Sequence, residues 1–262
     1  MIKVEIGGIV KEVEQFTFPG GEVQIRLPEF YIEESHVYNI TIIAKIKNSD
    51  DIMALLLTEE ALSVHNNINL IDLVIDYFPY ARQDRRCQDR EAFSLNVFIK
   101  LINSMNFTNV YIKDIHNEES LNKIKNFFHI PQCVLIKELV KNYNTLVCPD
   151  SGAVPKLNSF NISHNIIVGA KVRDVANGEI LETVIKYNTD TNKDEPILIV
   201  DDICDGGRTF IELAKVLKAE GFKTIDLYVT HGIFSKGQEV FEGLIDNIYT
   251  TDSFYEPEIS LI

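Results

Sequence analysis

The chain has 262 residues, of which 45% are hydrophobic and 24% are charged, the proportions of a globular protein with a substantial core. Its formal net charge of −14 argues against a nucleic-acid partner, because phosphate backbones require basic patches. No apolar run approaches the length of a membrane span and the first residues lack a signal-peptide core, so we expect a cytoplasmic protein with no membrane partner. The four cysteines show no paired spacing, which predicts reduced thiols rather than disulfides or a zinc site.

The first half of the chain alternates predicted strands and helices. Residues 3–18 and 22–27 alternate apolar and polar side chains on either side of Pro19-Gly20-Gly21, which predicts a hairpin. Ser49 or Asp50 is placed to cap the first helix. Further strands are predicted at 36–46, 68–75 and 109–115, and helices at 50–64, 94–105 and 118–128.

The second half continues this alternation. Asn177-Gly178 is predicted to form a hairpin turn, and the polar residues 188–195 a mobile connection. Strands are predicted at 145–148, 166–169, 179–187, 197–200, 224–230 and 247–251, and helices at 210–221 and 238–244. Strands that alternate with helices in this way form mostly parallel sheets flanked by helices.

A break in the pattern near residues 130–134 divides the chain. We therefore predict two α/β domains, residues 1–133 and residues 134–262, each of which ends its strands in charged turns. Active sites of paired domains lie in the cleft between them, so the interdomain cleft is the expected active site.

The most informative stretch runs from Ile197 to Thr209. A buried strand leads into the carboxylates Asp201 and Asp202, then into a glycine turn and a helix. The free N–H groups and the dipole at the helix N-terminus favour an anion at the turn, while carboxylates accept hydrogen bonds from sugar hydroxyls or hold a hydrated magnesium ion. This combination predicts a pocket for a pentose 5-phosphate, although a strand that simply ends in acidic turn residues would give the same pattern.

Other candidate residues also follow predicted strands. Residues 82–86 contain three arginines and come after the strand 68–75, at the edge where α/β folds bind ligands. They predict an anionic substrate, and a solvated charged loop is the alternative. His116 follows the next strand, where a histidine is more often a structural hydrogen-bonding group, and Asp150 lies at the mouth of a second turn.

Eight stretches carry a family resemblance in one collinear order. They are Phe18-Pro19-Gly20-Gly21-Glu22, Phe78-Pro79-Tyr80-Ala81-Arg82-Gln83-Asp84-Arg85, Asp114-Ile115-His116, Phe127-Phe128-His129-Ile130-Pro131, Cys148-Pro149-Asp150-Ser151-Gly152, Lys171-Val172-Arg173, Asp201-Asp202-Ile203-Cys204-Asp205 and Thr230-His231-Gly232-Ile233-Phe234-Ser235. Together they resemble the ribose-phosphate pyrophosphokinase family. The resemblance implies two phosphoribosyltransferase-like domains related by approximate internal symmetry. It also implies transfer of a diphosphoryl group from ATP to ribose 5-phosphate.

The resemblance implies an ATP site in the N-terminal domain. Arg82, Gln83 and His116 would contact the triphosphate. Phe18 and Glu22 resemble the residues that line the adenine pocket from a neighbouring subunit, so a homo-oligomer would complete the site.

The resemblance also implies the metal, the catalytic groups and the acceptor site. Mg²⁺ is the implied cofactor, and His116 and Asp150 are the residues expected beside it. Lys171 and Arg173, expected on a mobile loop, would be catalytic together with His116. The acceptor site comprises Asp201, Asp202, Asp205, Gly206, Gly207, Arg208 and Thr209, with the first two on the ribose hydroxyls and the rest around the phosphate.

The chain departs from the family pattern in three respects. The family's phosphate loop usually reads Asp-Thr-Gly-Gly-Thr, whereas here Asp205-Gly206-Gly207-Arg208-Thr209 loses one hydroxyl and gains a guanidinium. The family's opening strand and helix and its final helical segment are absent from this sequence, so we expect its hexamer and its regulation by phosphate and ADP to be altered.

Other functions remain open at this point. The loop change is compatible with an acceptor that carries a 5-diphosphate, such as ADP-ribose. A catalytically inactive regulatory homologue is a further alternative, against which the retained Lys171, Arg173, His116 and Asp150 argue. A simple phosphoribosyltransferase is disfavoured by residues 80–85.

Overall fold

The computed structural model describes residues 1–30, 36–117, 119, 122–158, 164–173, 180–187 and 190–254, and it describes only the backbone of residues 158, 171–173 and 180–182. The chain divides into two compact units, Met1–Ile130 and Pro131–Ile262. The division predicted after residue 133 lies three residues further along the chain. No helix in the described ranges is both long enough and apolar enough to span a bilayer.

The first unit is built on a six-stranded sheet with the order β2-β1-β5-β6-β7-β8. Strand β1 pairs antiparallel with β2 and β5, and the strands from β5 to β8 are parallel neighbours. Strands β3 and β4 form a separate two-stranded sheet. The elements of this unit are β1 (Ile2–Ile6), β2 (Ile9–Glu12), β3 (Glu14–Thr17), β4 (Val23–Arg26), β5 (Tyr38–Ala44), β6 (Ile68–Ile75), β7 (Val110–Lys113), β8 (Phe127–Ile130) and the helices Ser49–Ser63 and Ser94–Ser104.

The second unit has a six-stranded sheet with the order β11-β10-β9-β12-β13-β14. Its neighbouring strands are parallel except for the antiparallel pair β10 and β11. The elements are β9 (Thr145–Cys148), β10 (Asn165–Arg173), β11 (Ile180–Lys186), β12 (Ile197–Cys204), β13 (Ile225–Gly232), β14 (Asn247–Thr250), the helices Gln132–Leu135, Val154–Asn158 and Arg208–Ala219, and the 3₁₀ turns Leu139–Asn142 and Glu239–Phe241.

The two sheets share one plan. Each has a run of parallel strands, four in the first unit (β5-β6-β7-β8) and five in the second (β10-β9-β12-β13-β14), with an antiparallel pair of strands at the other edge. This common plan agrees with the predicted internal symmetry. It also confirms the predicted mostly parallel α/β architecture.

Strand β12 explains the apolar run that marks the centre of the second unit. Ile197 and Ile199 belong to the core beneath the helix Arg208–Ala219, whereas Leu198 and Val200 belong to the core on the opposite face, which includes the segment before β9. Successive side chains of a strand point to opposite faces, so a central strand covered on both sides is apolar throughout. Burial of each such side chain contributes about 1.5–3 kcal/mol to folding.

The predicted helix at 118–128 is wrong at its end. Phe127–Ile130 forms strand β8, parallel to β7, and the ring of Phe128 stacks on Tyr111 at a centroid distance of 5.2 Å. Pairing with a neighbouring strand and cross-strand packing therefore outweigh the helical spacing of the apolar residues.

Two local features of the first unit also differ from the prediction. The helix Ser49–Ser63 is capped by Asn48, whose Oδ1 accepts a hydrogen bond from the N–H of Asp51 at 3.0 Å, and not by Ser49 or Asp50. The predicted extended stretch turns back on itself at Gly7-Gly8, where both residues have positive φ.

Three predictions for the second unit differ from the structure or lie partly outside the described residues. The predicted helix at 238–244 is only the 3₁₀ turn Glu239–Phe241. The predicted turn at Asn177-Gly178 lies outside the described residues. Residues 188 and 189 of the predicted polar connection also lie outside them, and within the rest of it Thr191 is buried.

Candidate functional site

In the first unit, the loop after β6 presents Arg82 and Gln83 to solvent. Phe78 anchors this loop, because its ring is buried and packs against Phe98 at a centroid distance of 5.0 Å. The N–H of Gln83 donates to the carbonyl of Tyr80 at 2.8 Å, and Tyr80 has a φ of 63°. A non-glycine residue in the left-handed region is uncommon, so packing and hydrogen bonds hold this turn in a specific shape.

A side-chain hydrogen bond joins this loop to the turn that carries His116. The Nδ2 of Asn117 donates to Oδ2 of Asp84 at 2.8 Å. Because β6 and β7 are parallel neighbours, their two following loops meet at the same edge of the sheet. Asp84 follows Gln83, and Asn117 follows His116. The hydrogen bond therefore brings the two predicted ATP-binding segments together.

The predicted adenine-pocket residues lie on the separate β3–β4 hairpin. The N–H of Phe18 donates to the carbonyl of Glu22 at 2.8 Å, and both side chains are exposed. The ring of Phe18 is 48% exposed, although it packs edge-on against Phe16 at a centroid distance of 5.5 Å. An exposed aromatic ring at a hairpin turn is suited to a contact with a ligand or a partner, and the role of this pair stays a prediction.

In the second unit, the segment 205–207 forms a tight turn between β12 and the helix Arg208–Ala219. Gly207 has a φ of +76°, and a Cβ on it would lie 2.5 Å from Cζ of Phe241. The N–H groups of Phe210 and Ile211 both donate to the carbonyl of Gly207 at 3.0 Å, so the helix begins directly at the turn. The positive end of the helix dipole therefore lies at the turn, where it favours an anion.

The acidic pair at the end of β12 has an asymmetric environment. Asp202 is 6% exposed, and its Oδ2 lies 3.2 Å from the ammonium of Lys156. Asp201 is half-buried; its Oδ1 accepts the N–H of Asp202 at 3.0 Å, and its carbonyl accepts Nε2 of Gln132 at 2.7 Å. Asp201 is therefore better placed than Asp202 to meet a ligand hydroxyl.

Asp150 lies at the end of β9, the strand next to β12. Its side chain is exposed, and its Oδ1 accepts the N–H of Gly152 at 2.9 Å. Burial, followed by the charges of Asp201 and Asp150, raises the pKa of Cys148 to about 12. The Cys148 thiol is thus protonated at neutral pH, and the charges of two predicted site carboxylates both act on it.

Lys171 and Arg173 were expected on a loop, and this prediction is wrong, because the backbone of both residues belongs to a strand. Strand β10 continues through both residues, because β11 pairs with it from Lys171 opposite Thr183 to Arg173 opposite Ile180, with a register shift between Val172 and Arg173. Residue Val168 is level with Cys148 of β9, so Lys171 and Arg173 extend past the end of β9. Their side chains are outside the described part of the structure.

Sequence inspection missed three polar residues at this edge. Gln132 and Lys156 bond to the acidic pair, and the carbon chain of Lys236 runs beside Gly206. Nothing in the local pattern identifies the first two, since each contact joins residues far apart in the chain. Lys236 directly follows the stretch 230–235, which is the signal that could have drawn attention to it.

The raised pKa of Asp201 predicts a pH dependence of stability. Burial and the charge of Asp202 raise this pKa, and the N–H of Asp202 opposes the shift. Above about pH 4 this carboxyl ionises in the unfolded chain, whereas in the folded chain it stays protonated until the pH reaches the raised pKa. The free energy of unfolding therefore falls as the pH rises through this range. We expect Asp201→Asn to increase the free energy of unfolding of the ligand-free protein at neutral pH and to flatten its decline between about pH 5 and pH 8.

Urea denaturation across this pH range measures the effect, with Asp89→Asn as a control at an exposed loop carboxylate. A wild-type decline that persists in Asp201→Asn would contradict the prediction.

The fold and the glycine turn after β12 define a protein of the phosphoribosyltransferase type. The phosphoribosyl transferase domain model matches residues 134–248, and the model of the N-terminal domain of ribose phosphate pyrophosphokinase matches residues 1–106. The chain belongs to the ribose-phosphate pyrophosphokinase family, which confirms the resemblance carried by the eight stretches.

Named relatives support this assignment over both units. The ribose-phosphate pyrophosphokinase of Ralstonia nicotianae is 30% identical over 250 residues, which cover 90% of this chain and 76% of the relative. That of Mycoplasmopsis pulmonis is 29% identical over 263 residues, which cover 95% of this chain and 78% of the relative. The crystal structure of phosphoribosylpyrophosphate synthetase from Mycobacterium smegmatis matches the fold with a TM-score of 0.76 at 19% identity, over 96% of this chain and 83% of that one.

Proposed function

We propose that this protein transfers the β,γ-diphosphate of ATP to the anomeric hydroxyl of ribose 5-phosphate, giving phosphoribosyl pyrophosphate and AMP. The observation that carries the proposal is the similarity to ribose-phosphate pyrophosphokinases over 90% and 95% of the chain, which includes both units. The names of these relatives favour ribose 5-phosphate over ADP-ribose, and they favour an enzyme over an inactive regulatory homologue. The proposed substrates, a nucleotide and a sugar phosphate, suit a cytoplasmic enzyme.

The first unit would bind ATP. Arg82 is an exposed cation on the loop after β6, and Gln83 and His116 lie on the two segments joined by the bond between Asp84 and Asn117. Cationic and hydrogen-bonding groups at the end of parallel strands match the charge of a triphosphate. Phe18 and Glu22 would complete the adenine pocket of a neighbouring subunit, so we propose a homo-oligomer, which analytical ultracentrifugation would detect.

The second unit would bind the acceptor. The N–H groups at the turn after β12 would hold its 5-phosphate with Thr209, and Asp201 would accept hydrogen bonds from the ribose hydroxyls. Arg208 is exposed at this turn and forms no ion pair with any described residue. Its guanidinium is available to a phosphate, because a planar fork of donors suits phosphate oxygens.

The chemistry joins these two substrates. The anomeric oxygen of the acceptor attacks the β-phosphorus of ATP, a new O–P bond forms as the hydroxyl loses its proton, and the bond from the β-phosphorus to the α,β-bridging oxygen breaks to release AMP. Catalysis of such transfers comes mainly from alignment and charge neutralisation. Lys171 and Arg173 are the proposed cations for the charge that builds up on the transferred group.

The residues present fit a magnesium ion that phosphates coordinate in part. Within the described ranges, no group of three or more histidine, cysteine or carboxylate side chains could hold a metal by itself. Asp150 has an exposed carboxylate with one oxygen on the N–H of Gly152, and magnesium in nucleotide enzymes takes only one or two carboxylates beside phosphates and waters. Bound magnesium would supply positive charge at the phosphates, and Asp150 and His116 would be the protein residues beside it.

We expect activity to require magnesium, and His116→Ala and Asp150→Ala each to raise the magnesium or ATP concentration needed for half-maximal rate. The physical reason is the loss of a group that orients the metal and its phosphate ligands. Titration of magnesium at fixed ATP measures the change, and Asp89→Asn serves as a control that removes a carboxylate from an exposed loop position. Full activity in excess chelator would contradict the magnesium requirement.

The test of the proposed function is mass spectrometry of the products from ATP with ribose 5-phosphate. We expect AMP and phosphoribosyl pyrophosphate in equal amounts. A parallel reaction with ADP-ribose tests the alternative acceptor that the change at Arg208 leaves open. Absence of a pyrophosphorylated product with ribose 5-phosphate would overturn the proposal.

A further inference from the structure

Lys236 lies against the glycine turn from a different part of the chain. Its Cε, Cδ and Cγ atoms would lie 3.5, 3.6 and 3.8 Å from a Cβ built on Gly206. The side chain is exposed, and within the part of the chain that the structure describes its ammonium forms no hydrogen bond or ion pair. The carbon chain therefore runs beside the turn, in the space next to the position that a side chain at residue 206 would occupy, while the charge at its end has no protein partner within the described residues.

The backbone around Lys236 is held by the end of β12. The N–H groups of Ile233 and Phe234 both donate to the carbonyl of Cys204, at 2.8 and 3.2 Å. The ring of Phe234 is buried, and its carbonyl accepts the N–H of Gly237 at 2.9 Å. These contacts fix the segment on both sides of Lys236, so the position of this lysine beside the turn is a property of the fold.

Gly206 provides the space that the lysine uses. Its φ does not lie in the left-handed region, so the backbone at this position can accept other residues. A branched side chain there would occupy the volume next to the Cδ and Cε atoms of Lys236. A Cβ alone at residue 206 would meet Lys236 at ordinary contact distances, so only a larger side chain would compete with the lysine for this space, whereas Gly207 is required by its positive φ and by Phe241.

The charges around the turn give the lysine a role. Asp201, Asp202 and Asp205 place carboxylates beside a site proposed to take a phosphate, and the ammonium of Lys156 is already paired with Asp202. Carboxylates disfavour a nearby anion, so phosphate binding here gains from cations that are not already neutralised. Lys236 is such a cation.

We propose that Lys236 is a further acceptor-binding residue, whose ammonium contacts the 5-phosphate held at the turn and whose approach depends on Gly206. This inference rests on the proposed ribose-phosphate site of the second unit. Lys236, from the loop after β13, would contact the same 5-phosphate as the turn after β12. The two loops would therefore form one phosphate site.

The test is the affinity of the full chain for ribose 5-phosphate, measured by isothermal titration calorimetry. We expect Lys236→Met, which keeps most of the carbon chain, to weaken binding about tenfold or more, the effect of losing a hydrogen bond to a charged group. Lys215→Met is the matched control, because it removes one lysine charge from the helix after the turn, where Lys215 pairs with Glu212. Affinity for ATP should change less than twofold in both variants.

A double-mutant cycle tests the dependence on Gly206. We expect Gly206→Val to weaken binding on its own, and Lys236→Met to have less than a twofold further effect in the Gly206→Val background, because the lysine is already displaced. Equal affinities of Lys236→Met and Lys215→Met would overturn the proposal, as would a full tenfold effect of Lys236→Met in the Gly206→Val background.

Calorimetry also separates this inference from the proposed function. If the wild-type chain binds ribose 5-phosphate and loses affinity in Lys236→Met but forms no product with ATP, the proposed reaction is wrong and the phosphate contact stands. If the wild-type chain binds neither ribose 5-phosphate nor inorganic phosphate, both are overturned.

Discussion

Lys171→Ala and Arg173→Ala are each expected to lower kcat by about 10²–10³, with little change in the affinity for ATP. Each substitution removes a cation proposed to meet the charge of the transferred diphosphoryl group. Loss of one preorganised donor of this kind costs roughly 2.7–4 kcal/mol of transition-state stabilisation. An interaction made mainly in the transition state lowers kcat without a comparable loss of ground-state binding.

Steady-state kinetics with ribose 5-phosphate and ATP would measure kcat, and a separate calorimetric titration would measure ATP binding. Lys186→Ala provides a matched control, since Lys186 is an exposed lysine of β11, the strand that pairs with β10. Turnover within a factor of about two of the wild-type value in both Lys171→Ala and Arg173→Ala would remove these residues from the mechanism.

Gly207→Ala is expected to produce the largest loss of stability among the glycine substitutions at the phosphate turn. Its φ of +76° is unfavourable for any residue with a Cβ, and the added atom would lie 2.5 Å from Cζ of Phe241. The left-handed conformation costs about 1–2 kcal/mol and overpacking about 1–3 kcal/mol, so the free energy of unfolding should fall by roughly 2–5 kcal/mol. We also expect weaker ribose 5-phosphate binding, because the turn must shift to relieve the contact.

Gly243→Ala separates the two contributions. Gly243 has a φ of +73°, and a Cβ on it would meet no atom within 4 Å, so this variant carries the backbone cost alone. Chemical denaturation of both variants should show the larger loss for Gly207→Ala. Phe241→Leu combined with Gly207→Ala should recover part of the difference, as a negative interaction energy in a double-mutant cycle. Equal losses at Gly207 and Gly243 would contradict the packing explanation.

The sequence alone determined the class of fold and the family. The strands 68–75 and 145–148 were predicted at their observed bounds, because each is a short, mainly apolar run bounded by polar residues, although only 145–148 is buried along its whole length. The glycine turn after Asp201 and Asp202 was also readable, since an anion site at a helix N-terminus needs a short local pattern of strand, turn and helix. The collinear motifs then identified the ribose-phosphate pyrophosphokinase family, which the comparisons confirm.

Predictions failed where a distant segment decided the local structure. Phe127–Ile130 is a strand because β7 pairs with it, although its apolar spacing resembles a helix. Strand β10 continues through Lys171 and Arg173 because β11 pairs with it, although the charged residues resemble a loop. In both cases the deciding hydrogen bonds come from another strand, and local periodicity contains no information about them.

Only the tertiary structure decided how the polar residues of the site are arranged. The partners of the acidic pair, Gln132 and Lys156, are 69 and 46 residues away in the chain from the residues they contact. Lys236 reaches Gly206 because the hydrogen bonds to Cys204 bring the loop after β13 beside the turn after β12. Residue types and short spacings determine which chemistry is possible, whereas burial, ion pairing and access to a ligand depend on contacts that form only when the sheet is assembled.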